Sequence, residues 1–309
     1  MSALYGEDIL RTDLLSDEAL ELILSTASRF EAVLEAGGRL SNMAGQMLAT
    51  LFFEPSTRTR LSFEAAMQRL GGSVISVADP RTSSAAKGES LADTARTVAG
   101  YADLIVIRHP REGSAREAAE AVEVPVINAG DGAGQHPTQA LLDIYTIQKE
   151  KGTLEGLTVT LAGDLRYGRT VHSLSHLLVR LGMRLFLVAP PGLEMPKSIM
   201  GDMREEGVEI TETTDLAAAM RESDVVYMTR IQKERFEDPA EYEQLKGAYV
   251  IDRALVEQAK SGISIMHPLP RVDEIVPEVD VYEGAAYFRQ AANGVSIRMA
   301  LLALVVGRE

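Results

Sequence analysis

The sequence predicts an α/β protein of two domains, each a parallel β-sheet flanked by helices. Three observations carry that expectation. The 309 residues exceed what one hydrophobic core commonly organises, so two domains of roughly 150 residues each are expected. Short apolar runs alternate with segments of helical apolar spacing, as at Met47 to Phe53, Leu61 to Leu70 and Ser73 to Val77; such a β-α-β succession implies a parallel sheet with right-handed crossovers. The alternation restarts at Leu157 to Leu161, after an interval around Gln148 to Gly156 that marks the change of domain.

Composition narrows the function. Hydrophobic residues make up 46% and charged residues 25%, as in globular proteins with a sizeable core. A formal charge of −14 argues against nucleic acid or an anionic membrane as partner, so any anionic ligand has to be held by local arginines. The absence of cysteine excludes disulfides, thiolate nucleophiles and cysteine metal sites. The five histidines show no H-E-x-x-H or comparable spacing, so a metal is not implied, and the expected cofactor complement is none. Met1 to Arg11 lacks a basic-then-apolar signal pattern and no apolar run approaches the ~20 residues of a membrane span, which together predict a soluble cytoplasmic protein.

Taken in order, Asp8 to Leu34 reads as a helix that Ser16 can cap, with Asp17 and Glu18 in its first turn and Gly37-Gly38 at its end. Met47 to Phe53 is a buried strand, Ser56 caps the helix after it, and Gly71 and Gly72 end that helix. The amides of Thr57, Arg58 and Thr59 then converge at the positive end of the helix dipole, and Pro55 stiffens the turn. With Arg58 and Arg60 beside them, these amides read as a phosphate site, although a serine before a helix more often does no more than cap it.

Asp79 to Ser90 is a polar, turn-rich loop by composition. Ser90 to Tyr101 follows as a capped helix, then Leu104 to Ile107 as a strand that ends in Arg108-His109-Pro110; a basic residue there sits where open α/β sheets bind ligands. A helix from Ser114 to Ala121 and a strand from Val124 to Ile127 lead to N-A-G-D-G-A-G-Q-H-P-T-Q-A-L-L-D. Its glycines form a flexible turn, Pro137 opens a helix continuing to Lys151, and His136 and Gln139 share one helix face.

In the second half, G-D-L-R-Y-G-R-T leads into a helix through Leu181 but has neither G-x-G-x-x-G nor G-K-[ST], so a dinucleotide is only weakly supported as its ligand. Strands are expected at Arg184 to Val188, Val208 to Thr211 and Asp224 to Met228. The last ends in the charge-dense run Thr229 to Arg235, which composition alone reads as solvated. Ile263 to Met266 is a final strand ending in H-P-L-P-R-V-D-E-I, whose two prolines hold Leu269 extended and leave carbonyls that can accept from an amine. A long apolar helix, Ala286 to Val306, closes the chain and is expected to pack on the first domain.

These motifs together resemble one family. F-E-P-S-T-R-T-R from Phe53 to Arg60 is similar to the carbamoyl-phosphate signature of the aspartate and ornithine carbamoyltransferases, and H-P-T-Q-A-L-L-D to their second signature. M-T-R-x-Q-K-E-R resembles the aspartate-specific loop, and the likeness runs across nearly the whole chain in family order. The resemblance implies a carbamoyl-phosphate-binding domain at 1–135, completed by the C-terminal helix (about 290–309), and a linking helix with an aspartate-binding domain at 136–289, the active site lying in the interdomain cleft. The reaction it implies is carbamoyl transfer from carbamoyl phosphate to L-aspartate, in pyrimidine biosynthesis.

Residue by residue, the resemblance assigns the phosphate to Ser56, Thr57, Arg58 and Thr59, with Arg108 and Lys87 adding charge and Ser83 reaching the same ligand. Thr59, Arg108 and His136 would point donors at the carbamoyl oxygen, with Gln139 also on the carbamoyl group. Arg169, Thr170, Arg230 and Gln232 would hold the aspartate, Lys87 would contact both substrates, and Pro268 and Leu269 would meet the carbamoyl group and the amine. Ornithine enzymes usually have H-C-L-P where this chain has His267-Pro268-Leu269-Pro270, so Pro268 replaces their cysteine. Ser83 and Lys87 lie in what would be a loop reaching the neighbouring subunit, which implies a homotrimer with shared active sites; the resemblance also admits a regulatory chain as a partner. Glu54 is expected to pair with Arg169 or Arg235 when the cleft closes. Two alternatives stand beside this: a carbamoyltransferase for ornithine or a modified ornithine, which a substrate panel separates, and a binding subunit that kept the fold without turnover.

Overall fold

Residues 3–78, 88–231, 242–243 and 245–309 are described in a computed structural model of the chain. They form two compact units, residues 1–142 with 292–309, and residues 143–291.

The first unit begins with α1 (Asp17–Glu35), β1 (Met47–Phe52), α2 (Thr57–Arg69), β2 (Ser73–Val77) and α3 (Leu91–Ala99). β3 (Leu104–His109), α4 (Ser114–Ala119), β4 (Val126–Asp131) and the start of α5 (Pro137–Lys151) follow. The strands pair in the order β2-β1-β3-β4, each pair parallel. β1 is a strand because Met-Leu-Ala-Thr-Leu-Phe is apolar on both faces, as a strand covered on both sides has to be. Leu48, Leu51 and Phe52 are fully buried there, each contributing about 1.5–3 kcal/mol relative to exposure. Its single hydroxyl is satisfied: Thr50 donates to Ser76 on β2 at 2.8 Å.

Two expectations are corrected in this unit. The first helix starts at Asp17 rather than Asp8, with the Ser16 hydroxyl accepting the Ala19 amide at 3.1 Å. The residues ahead of it run along β4, where Ile9 donates to Val126 and accepts from Asn128. β4 itself starts at Val126 and continues through Gly130 to Asp131, so half of the glycine-rich stretch expected as a flexible turn is sheet ladder. The turn comes at Gly132, at φ +55, where a Cβ would lie 2.6 Å from the Pro110 carbonyl oxygen.

The second unit contains β5 (Thr158–Ala162), α6 (Arg169–Arg180), β6 (Arg184–Val188), α7 (Lys197–Glu205) and β7 (Ile210–Thr213). It continues with α8 (Leu216–Glu222), β8 (Val225–Met228), α9 (Arg253–Gln258), β9 (Ser264–Met266) and a 3₁₀ turn at Pro277–Val281. The strand order is β7-β6-β5-β8-β9, again wholly parallel. Val226, Met228, Ile251, Ile263, Ile265 and Tyr287 form part of its core.

α10 (Tyr287–Val305) starts in the second unit and ends in the first, where Met299 to Val305 are fully buried and Arg298 lies 5.0 Å over the Phe63 ring. The other crossing falls inside α5, between Leu142 and Asp143, past the sequence-derived boundary at residue 135 and short of the interval at Gln148. Among the described residues no helix is long and apolar enough to cross a membrane, and no group of three or more His, Cys, Asp or Glu could hold a metal ion.

Gly132→Ala should destabilise the chain by about 2–4 kcal/mol, since it adds both left-handed strain and a backbone clash. Urea unfolding measures this, and an unchanged midpoint would mean that the β3–β4 connection relaxes freely.

Candidate active site

In the first unit, three adjacent strands deliver the expected residues at their carboxyl ends. β1 runs into Phe53, whose amide donates to the Arg108 carbonyl at 2.8 Å, so the turn before α2 is tied to the end of β3. β4, next to β3, leads through Gly132 to His136 and the start of α5. Ser56 holds the N-cap position of α2 with extended backbone, yet its hydroxyl accepts no helix amide. The first helical bond is Arg60 N–H to the Ser56 carbonyl at 3.1 Å, so the amides of Thr57, Arg58 and Thr59 stand ahead of the helix's own ladder. An uncapped N-terminus of this kind suits an anion better than one whose amides a serine has already filled.

The two arginines of the octapeptide separate. Arg58 is exposed at the first turn, whereas Arg60 is drawn along the helix to Glu64 at 3.2 Å, which also accepts from Ser76 at 2.9 Å. Thr59, Arg108 and His136 are buried, and Gln139 is half-buried. Arg108 donates from Nη1 to the Ala129 carbonyl at 3.2 Å and its Nη2 lies 3.3 Å from Glu54. The acid beside the phosphate turn thus neutralises the buried arginine of the same unit. An arriving anion offers Arg108 an alternative partner.

The second unit repeats the arrangement with β5, β8 and β9 as neighbours. β5 leads to Gly163 and, at the start of α6, to Arg169 and Thr170 at an N-terminus that Gly168 caps without a side-chain bond. β8 leads out to Thr229 and Arg230, and β9 to His267, Pro268 and Leu269. Gly163 is required here, because a Cβ would lie 2.2 Å from the Thr229 oxygen where the two strand ends meet. Arg169, Thr170, Arg230, Pro268 and Leu269 are all half-buried. Ser83, Lys87, Gln232 and Arg235 lie outside the described residues.

Leu269 is not extended as its two prolines suggest. It has φ 57, the one non-glycine residue in the left-handed region among the described residues. Its amide turns back to donate to Nδ1 of His267 at 2.8 Å, which closes the tight turn that the prolines alone do not encode. His267 and Glu274 of H-P-L-P-R-V-D-E-I carry no role in the sequence reading, nor does Asp143 of H-P-T-Q-A-L-L-D. The signal that could have found them is a buried-type motif spelled with ionisable residues: all three are buried in the structure.

Two parallel-sheet units, each with arginine side chains and a helix start without a side-chain cap at the carboxyl ends of its strands, define a two-unit α/β protein. Comparison with known proteins narrows this. Residues 7–149 match the family model for the aspartate/ornithine carbamoyltransferase carbamoyl-P binding domain, and residues 155–305 that for the Asp/Orn binding domain. The chain is 57% identical over 302 residues to the aspartate carbamoyltransferase catalytic subunit of Thermococcus gammatolerans, covering 98% of each. It matches the crystal structure of Trypanosoma cruzi aspartate transcarbamoylase in complex with carbamoyl phosphate and aspartate at TM-score 0.94 and 44% identity, over 99% of this chain and 98% of that one. The catalytic subunit of M. jannaschii aspartate transcarbamoylase matches at TM-score 0.90 and 48% identity, over 97% and 98%. The chain belongs to the aspartate/ornithine carbamoyltransferase family.

Arg58→Ala should weaken inorganic phosphate binding by an order of magnitude or more, about 1.5–3 kcal/mol for a charged hydrogen bond, with stability changed by less than about 0.5 kcal/mol because the side chain is exposed. Titration calorimetry with urea unfolding tests both; unaltered phosphate affinity would remove Arg58 from the site.

Proposed function

We propose that this chain transfers the carbamoyl group of carbamoyl phosphate to the amino group of L-aspartate, giving N-carbamoyl-L-aspartate and phosphate, as a cytoplasmic step of pyrimidine biosynthesis. The observation that carries the reading is the division of donors between the units. The first unit offers helix amides, Arg58, Arg108 and His136, which suit a phosphate with a carbonyl attached. The second offers Arg169 and Arg230 beside a proline-flanked Leu269, which suit a dicarboxylate with an amine. The names of the relatives favour aspartate over ornithine as the acceptor.

Ser56, Thr57, Arg58 and Thr59 hold the phosphate, with Ser83, Lys87 and Arg108 adding donors. The aspartate amine attacks the carbonyl carbon, the new C–N bond forms, and the C–O bond to phosphate breaks with its electron pair leaving on phosphate, which takes the amine proton. Thr59, Arg108 and His136 donate to the carbonyl oxygen as it gains charge, and Gln139 and Pro268 border the carbamoyl group. Each oxyanion donor is worth ~3 kcal/mol, and alignment of two bound reactants ~7–11 kcal/mol, so positioning and electrostatics outweigh acid-base chemistry. Direct amine attack fits a chain with no cysteine and no G-x-S-x-G elbow.

Arg169, Thr170, Arg230 and Gln232 take the two carboxylates, because planar guanidinium forks match carboxylates in a way that lysine does not. An ornithine side chain would bring its ammonium towards Arg230, a like-charge contact. Lys87 serves both substrates, and with Ser83 it comes from the neighbouring subunit of a homotrimer, an assembly that leaves room for a regulatory chain.

Purified protein given carbamoyl phosphate with either aspartate or ornithine should form product with aspartate alone, and product from ornithine would overturn the acceptor assignment. Arg230→Ala should lower kcat/KM for aspartate by about 2–5 kcal/mol and leave carbamoyl-phosphate binding intact. Mixing a Lys87→Gln variant with an Arg58→Ala variant should restore activity in hybrids; no recovery would sink the shared site.

A further inference from the structure

The segment after β9 is held by a hydrogen-bonded chain that the reaction as proposed leaves unused. Leu269 donates its amide to His267 Nδ1 at 2.8 Å, and the opposite ring nitrogen, Nε2, meets Glu274 Oε1 at 2.7 Å. An Nδ1 that accepts cannot carry a proton, so the network assigns His267 as the neutral Nε2–H form, donating to Glu274. Glu274 Oε2 in turn accepts the amides of Val272 at 3.2 Å and Asp273 at 3.0 Å. Burial opposes ionisation of Glu274, but the hydrogen bond from His267 and the backbone amides favour the carboxylate, which lies below its ordinary range.

The chain continues behind the histidine. The His267 amide donates to Gln290 Oε1 at 2.8 Å, Gln290 Nε2 to Asp143 Oδ1 at 2.7 Å, and the Tyr227 hydroxyl to Asp143 Oδ2 at 2.9 Å. Asp143, Tyr227, His267 and Gln290 are each 1% exposed or less. The turn at Leu269 is thus anchored to α5, β8 and α10 at once, and a left-handed leucine persists only when its surroundings over-determine it.

We propose that His267 and Glu274 are positioning residues that set the direction of the Leu269 carbonyl, the acceptor for the attacking amine; this rests on the role of Leu269 in the reaction proposed above. Fixing the amide of Leu269 in the left-handed conformation fixes where the following carbonyl points. The carboxylate is needed in its ionised form, since both its oxygens accept. A glutamine at 274 can give one oxygen only: facing His267 with it sets the NH₂ against two backbone amides, and the reverse orientation forces the ring to the Nδ1–H tautomer, donor against donor with Leu269.

The test compares Glu274→Gln, His267→Gln and His267→Asn with the parent, measuring kcat, KM for aspartate and carbamoyl-phosphate affinity, together with imidazole ¹⁵N NMR of the parent. Glu274→Gln and His267→Gln should lose about 10²-fold in kcat, the cost of a misplacement near 1 Å, with carbamoyl-phosphate affinity unchanged. His267→Asn should recover most of that loss, because its side-chain oxygen falls near the place of Nδ1. The parent spectrum should show the Nε2–H form. Retained kcat in the glutamine variants, an asparagine variant as poor as His267→Gln, or a protonated or Nδ1–H imidazole would each overturn the proposal. A parent that carbamoylates no aspartate would defeat the functional reading instead, and the NMR measurement, which needs neither turnover nor a variant that folds, would still decide whether the ring holds Leu269.

Discussion

Parallel pairing is the constraint on which everything else depends. In a parallel sheet every strand leaves by the same edge, so β1, β3 and β4 must release Ser56, Arg108 and His136 towards one side although they are far apart in sequence. β5, β8 and β9 do the same for Arg169, Arg230 and Leu269. An antiparallel order would send alternate strand ends to opposite edges and scatter each set. The glycines at 132 and 163 answer the crowding that results, where neighbouring strand ends come so close that no side chain fits between them.

Electrostatics is handled locally. The chain carries a formal charge of −14, a field that opposes anionic ligands at long range. What favours an anion is short-range: the amides ahead of Arg60, a buried Arg108 and an exposed Arg58. Arg108 is already neutralised by Glu54, so the first unit does not hold an uncompensated buried cation while it waits for a ligand. Glu274 plays a different part, holding a neutral ring rather than a charge.

Much of this was legible in the sequence where a single physical rule decides the outcome. β2, β6 and α5 have the bounds their periodicity and Pro137 give, and Ser16 and Ser90 cap the helices they precede. Legibility failed where tertiary partners decide. Asp8 to Leu15 has a helical composition but is claimed by β4 through Ile9, and the glycine-rich stretch to Asp131 is claimed by β3. Ser56 has the right type and place for a cap, yet its side chain bonds no helix amide. Leu269 shows the limit most clearly: prolines on both sides argue for extension, and only a histidine two residues back, itself braced from three elements, turns the chain left-handed. Pairwise contacts of that kind leave no periodic trace.

The return of α10 has a consequence for how the chain is made. The second unit is one continuous stretch, 143–291, interrupting a first unit whose last part is 292–309. That last part supplies Met299 to Val305, all fully buried, so the first unit lacks a wall of its core until those residues have been made. A growing chain can therefore finish its later-encoded unit before its earlier one, the reverse of the usual N-terminal-first order. The stretch carrying Ser56 to Thr59 leaves the ribosome early and waits longest for its enclosure, which makes the emergence of residues 299–305 the event that completes the first unit.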